Sequence, residues 1–271
     1  MGCNPQSPQV LSMEADSMDD SYFRIRCGGK VKYVTVAPGT LVSEDLWLPL
    51  YSLPPLPYNE DGWNVAHVSR AEGSQKLHSS LELQSLPGVT EIWHPQKIDV
   101  LSLERVEILT MSTFECTWKE EPTPCGTYVA KIARFEWEIP RIERETHAYR
   151  LLQDTHIAPK FLGHIHEQGR VIGFLLEKVD GHFAGIDDLP RCTEVLTSLH
   201  KLGLLHGDVN RHNFLIGDGW TKMIDFETCR ESQDQGLKEA ELLSLPAELK
   251  DESGRGGGFI AVDEEDSDHS F

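Results

Sequence analysis

Basic residues are scarce in this chain: 25 Lys and Arg stand against 44 Asp and Glu in 271 residues, a formal net charge of −19. That balance would repel a phosphate backbone, so nucleic acid is not an expected partner. No apolar run approaches the length of a membrane span. The six cysteines (3, 27, 116, 125, 192 and 229) form no C-x-x-C pair. With no secretory leader ahead of them, reduced thiols in a cytoplasmic or nuclear, non-secreted protein are expected. The start, Met1-Gly2-Cys3-Asn4-Pro5-Gln6, has the glycine of a myristoylation signal but Gln6 where Ser or Thr is wanted, which argues against a lipid anchor. Apolar residues make up 39% of the chain, enough for a packed core and too many for wholesale disorder.

The charge is uneven. Glu14, Asp16, Asp19 and Asp20 crowd one end and Asp263, Glu264, Glu265, Asp266 and Asp268 the other, with no Lys or Arg in 1–20 or 261–271. Residues 1–20 therefore read as a disordered acidic tail, and 246–271, with Gly254-Arg255-Gly256-Gly257-Gly258, as a flexible glycine-rich and acidic one. Residues 21–97 read as a β-rich accessory segment. Residues 22–36 alternate around Gly28-Gly29 like a hairpin, and Trp47, Trp63 and Trp93 mark an otherwise irregular stretch as packed.

From about residue 98 the pattern sharpens. Strands are expected over 106–109, 114–118 and 128–133, the first two followed by a turn at 121–126. A helix over 141–153 would bury Ile142, Tyr149 and Leu152 on one face. Strands at 161–165 and 171–176 follow, then a helix from Asp188 with Pro190 in its first turn and Gly203 at its end. Glu239–Leu243 suits one more short helix. This order is α+β, not a repeating βαβ one. His164 and His166 alternate on a strand and could chelate a metal, but without further partners they read as surface histidines.

Chemistry concentrates in His206-Gly207-Asp208-Val209-Asn210-Arg211-His212-Asn213 and in Ile224-Asp225-Phe226. Phosphoryl transfer needs a cation on the phosphates, a carboxylate near the incoming hydroxyl and oxygen ligands for Mg²⁺. Asp208 follows the apolar Leu204-Leu205 and could accept a proton. Asn213 offers an amide oxygen, and a strand–turn–strand returns the chain to Asp225, so two oxygens can converge on one ion.

This segment resembles the protein-kinase catalytic loop and metal motif, H-R-D-L-x-x-x-N and D-F-G. Val129-Ala130-Lys131-Ile132 is similar to the family's phosphate-holding lysine strand, and Glu145 falls where its helix glutamate pairs that lysine. The plainer readings are a snorkelling lysine and a solvated helix face. Glu143, two residues away, points elsewhere on the helix. H-G-D with D-F-E looks less like the regulated protein kinases and more like the aminoglycoside-phosphotransferase and choline-kinase-like branch, and 134–140, 159–164 and 253–257 resemble a group of fungal kinase-like proteins. The resemblance covers about 100–245. It implies a protein-kinase-like bilobal fold, with an antiparallel-sheet N-lobe over 98–180 and a reduced helical C-lobe over 181–245. ATP and Mg²⁺ are the implied cofactors. Asp208 would be the catalytic base, Asn213 and Asp225 the metal ligands, and Lys131 with Glu145 the phosphate-binding pair. Glu177 and Val179 would lie in the adenine-binding hinge. The acceptor would be a hydroxyl on a small molecule or a protein. The chain departs from the pattern in lacking a glycine-rich loop, so Met111-Ser112-Thr113 must cover the phosphates. It also departs at Gly207, Asn210 and Glu227, where the family has Arg, Lys and Gly. A nucleotide-binding pseudokinase without turnover is the alternative.

Overall fold

Residues 7–71, 73–74, 76–120 and 126–256 are described by the computed structural model. They form two units: 1–88 with 134–137 and 166–170, and 89–133 with 138–165 and 171 onward.

The first unit is built on a five-stranded sheet of β1 (Gln9–Glu14), β2 (Ser21–Cys27), β3 (Lys30–Val36), β4 (Val65–Arg70) and β5 (Leu77–Glu82), in that spatial order. β2 and β3 are the hairpin read from the sequence, turning at Gly28, whose φ is 62°. The link from β3 to β4 carries two short helices, α1 (Ser43–Leu46) and α2 (Pro49–Ser52), and it returns β4 parallel to β3, with Tyr33 opposite Val65. Phe23, Ile25, Val34, Val36, Ala66 and Val68 alternate inward, and Leu46, Leu53, Leu56 and Trp63 cover them. Trp47 does not join this core and is 63% exposed. Arg24, fully buried, pairs with Glu167, which also accepts from the Tyr33 hydroxyl at 2.6 Å and pairs with Arg170 at 2.9 Å.

Two expected boundaries move. The supposed tail 1–20 contains β1, which pairs antiparallel with β2 from Gln9 opposite Arg26 to Glu14 opposite Tyr22. Its acidic residues sit at the strand's end and in the turn after it, where charge does not oppose pairing. At the other end, the last helix outruns residue 245 and ordered chain continues to Gly256. Most of the expected acidic C-terminal tail and the turn at 121–125 lie outside the described residues.

In the second unit, apart from the 166–170 ends of β10 and β11, β6 (Lys97–Asp99), β7 (Leu103–Ile108), β8 (Thr113–Trp118), β9 (Tyr128–Ile132), α3 (Ile139–Leu151), β10 (Phe161–Glu167) and β11 (Arg170–Glu177) come first. Their six strands form one sheet in the order β6-β10-β11-β9-β8-β7. Ile142 and Tyr149 of α3 and Leu152 just after it are buried as their spacing predicts. Then follow β12 (His182–Phe183), α4 (Leu189–Lys201), β13 (Leu204–Leu205), β14 (Phe214–Gly217), β15 (Trp220–Met223), β16 (Arg230–Glu231) and α5 (Gln235–Glu248). α4 starts with Pro190 in its first turn and ends at Gly203, whose φ is 81°. The fold is mixed α and β, with several sheets and few helices. No helix among the described residues is long and apolar enough to cross a membrane.

His164 corrects its surface reading. It is fully buried, and its Nε2 accepts the Trp93 and His94 backbone N–H groups at 3.2 Å each. The four described cysteines, 27, 116, 192 and 229, are buried free thiols.

Candidate active site

Lys131 lies on β9, Glu145 on α3 and Asp225 just after β15, and the second unit brings the three together. Lys131 Nζ stands 2.7 Å from Glu145 Oε2, 2.8 Å from Asp225 Oδ1 and 3.1 Å from Glu227 Oε1. Burial alone would lower the lysine's pKa, but the three carboxylates outweigh it and hold the ammonium charged. Burial lifts the Glu145 carboxyl to about 7 against the pull of Lys131, with Asp225 and Glu227 adding to the lift. Asp225 moves the other way: burial opposes ionisation, but Lys131 keeps its pKa below the usual value. Glu143 points elsewhere, accepting from the Thr90 N–H and hydroxyl at 2.7 Å each.

These groups line a cleft of about 460 Å³. Thr110 and Thr113 of the β7–β8 turn, Val129 and Leu176 form apolar and hydroxyl-bearing walls, and Glu177, Val179, Asn213 and Asp225 also face it. The turn carries no glycine. It is closed by Thr113 O accepting the Leu109 and Thr110 N–H groups at 3.0 and 2.9 Å, and the Thr110 hydroxyl accepts the Thr113 N–H at 3.1 Å. Met111 points out and is exposed. The Glu177 carboxylate is engaged by the Lys160 N–H at 2.9 Å and by Lys222 at 3.4 Å. Hollows of about 510 and 890 Å³ also occur in this unit, but neither is lined by Lys131, Glu145 or Asp225.

Asp208 is half-buried at the Asn213 end of the cleft and is not among its lining residues. Asn213 Nδ2 donates to Asp208 O at 2.8 Å and lies 3.3 Å from Oδ2, while Asn210 Nδ2 donates to Oδ2 at 3.2 Å. With its nitrogen so placed, Asn213 has its amide oxygen left for a ligand. Backbone pairing of Ile224 N–H with Asn213 O at 3.0 Å ties this loop to the Asp225 segment. Asp225 itself has φ 63°. That left-handed conformation costs a non-glycine residue roughly 1–3 kcal/mol and is tolerated best by Asp and Asn.

The loop is held from below. His206 is fully buried, burial lowers its pKa by disfavouring the cation, and it pairs through Nε2 with Ile224 O at 3.0 Å. Its ring packs 5.2 Å from Phe226, which in turn meets Tyr149 of α3 at 5.5 Å. Gly207 has φ 84°, and a Cβ there would fall 2.6 Å from Thr228 O. Neither the conformation nor the space admits the arginine of the resembling family.

Sequence reasoning gave Glu227 no role, although its carboxylate is the third around Lys131. It missed Glu241 on α5 as well, which accepts the Gly207 N–H at 2.7 Å and pairs with His200 at 2.7 Å. A glutamate 34 residues past the loop carries no local signal. Comparison with known family models finds no match, and no curated protein matches the chain.

Proposed function

We propose that the second unit is a protein-kinase-like core and that the protein is an ATP-dependent phosphotransferase acting on an alcohol group of a small molecule or a protein. One observation carries the reading: a strand lysine, a helix glutamate and a loop aspartate, distant in sequence, meet within 2.8 Å of one ammonium at the wall of a ligand-sized cleft. ATP would supply the phosphoryl group and Mg²⁺ the charge that screens it. The donor set suits that ion, since the Asn213 amide oxygen and the Asp225 carboxylate are hard ligands on one cleft. Lys131 would face the phosphates, with Glu145 fixing its direction. The backbone of Glu177–Val179 would meet the base, because the Glu177 side chain is already spent on Lys160 and Lys222. Asp208, oriented by Asn210 and Asn213, would take the acceptor's proton.

A nucleotide-binding module without turnover is the second reading. It is favoured by the glycine-free β7–β8 turn and by a lysine already enclosed by three carboxylates.

Asp208→Asn separates the two. It should leave Mg-ATP affinity nearly unchanged and lower turnover on the order of a hundredfold or more. Lys131→Met should weaken nucleotide binding as well, since it leaves Glu145 buried and unpaired. ATP should raise Tm more with Mg²⁺ than with EDTA. Mg-ATP binding without phosphoryl transfer or hydrolysis in the wild type would favour the second reading. Equal shifts with and without metal would argue against the Asn213–Asp225 site.

A further inference from the structure

After α5 the described residues 251–256 run to the cleft. Asp251 Oδ1 accepts the Ser253 N–H at 2.9 Å and bends the backbone. The Arg255 guanidinium pairs with Glu248 at the end of α5 and, at 3.6 Å, with Asp251. Gly254 and Gly256 take φ values of 80° and 78°, which side-chain-bearing residues avoid. Gly256 lines the cleft. A Cβ on it would lie 2.5 to 2.7 Å from the Asn210 side-chain amide, and that amide donates to the Asp208 carboxylate. The backbone at Gly256 therefore lies on the residue that orients Asp208, in space that any other residue would need for its side chain.

We propose that residues 251–256 are an intramolecular strap over the acceptor side of the site, and that an acceptor hydroxyl reaches Asp208 only when the strap lifts. The proposal rests on the phosphotransferase reading. The strap is built to open rather than to brace. It has no apolar side chain to bury, and residues 252–256 are exposed. Its latch is an arginine in water, and such ion pairs hold weakly and are screened by salt. Two glycines in six residues add flexibility to the released form. A segment with so few buried contacts belongs to the low-stability end of a fold, where gating elements are found.

The test compares the full chain with Arg255→Ala, a chain ending at Lys250 and a chain ending at Gly256. Hydrogen exchange of the 208–213 backbone amides and ATP hydrolysis without added acceptor are both measured. Unlatching by Arg255→Ala, and removal in the chain ending at Lys250, should raise exchange at 208–213 several-fold and speed hydrolysis. In Arg255→Ala, which leaves every cleft-lining residue in place, Mg-ATP affinity should change little. The chain ending at Gly256 keeps the strap and should behave like the full chain in exchange. Unchanged exchange in both unlatched forms overturns the strap, whatever the enzyme does. Faster exchange with slower hydrolysis also overturns it, because the segment would then be supporting the loop. Faster exchange with nucleotide binding but no hydrolysis in any form supports the cover, and it is the phosphotransferase reading that fails.

Discussion

His164 shows how a single residue can be misjudged from its neighbours. Alternation with His166 suggested a solvent-facing pair, yet its ring is buried and its Nε2 is the acceptor for two backbone N–H groups. An imidazolium cannot accept there. Burial, then His94 and Lys97, push its pKa down to about 4 from an ordinary 6.5. Between these values the unfolded chain binds a proton that the folded chain refuses. The contribution is therefore fully present above about pH 6.5 and is lost as pH falls toward 4, by about 3 kcal/mol at the foot of the window. His164→Gln offers an oxygen acceptor that does not titrate. Its Tm should fall less than that of the wild type between pH 7 and 4.5, and parallel curves would refute the assignment. The site residues were more legible. Asn213 and Asp225 carry oxygens that their spacing sets up to converge, Lys131 and Glu145 were marked by resemblance to a kinase-like strand and helix, and the fold does bring the four to one cleft. Glu227 stood in the sequence only as a departure from glycine, and Glu241 lies 34 residues past the loop it holds, so neither role was legible.

At the scale of elements, the sequence marked what local physics decides. The β2–β3 hairpin has its glycine turn, and α3 and α4 have their apolar faces and, for α4, its proline and glycine ends. Partner choice was hidden. Nothing local says that β4 returns parallel to β3, or that Gln9–Glu14 adds an edge strand beyond β2. That strand was masked by the acidic residues after it, which set a tail-like composition over a segment whose Val10, Leu11 and Met13 suit a sheet edge. Met13 packs against the core of the first unit. Deleting residues 1–15 removes a row of ladder hydrogen bonds and uncovers the edge of β2, so Tm should drop by roughly 5 °C or more. A melting curve unchanged by the deletion would restore the tail reading.

For the molecule as a whole, charge imbalance is the dominant long-range term. Even if every Lys and Arg found a carboxylate, 19 acidic groups would have no cationic counterpart. The exposed pairs, such as Lys30–Asp61 and Lys119–Glu104, contribute little and lose it as salt rises. Net repulsion among the surplus carboxylates opposes the compact state, and screening weakens that repulsion as the Debye length falls from about 30 Å at 0.01 M to about 8 Å at 0.15 M. The two effects have opposite signs, and the surplus decides between them. At pH 7.5, Tm should therefore rise as NaCl increases from 0.01 to 0.15 M, with most of the gain inside that range. Near the isoelectric point of about 5.0 the surplus is titrated away. The rise should vanish there or turn into a slight fall as the remaining ion pairs are screened. A Tm that falls with salt at pH 7.5 would mean that paired charges outweigh the excess.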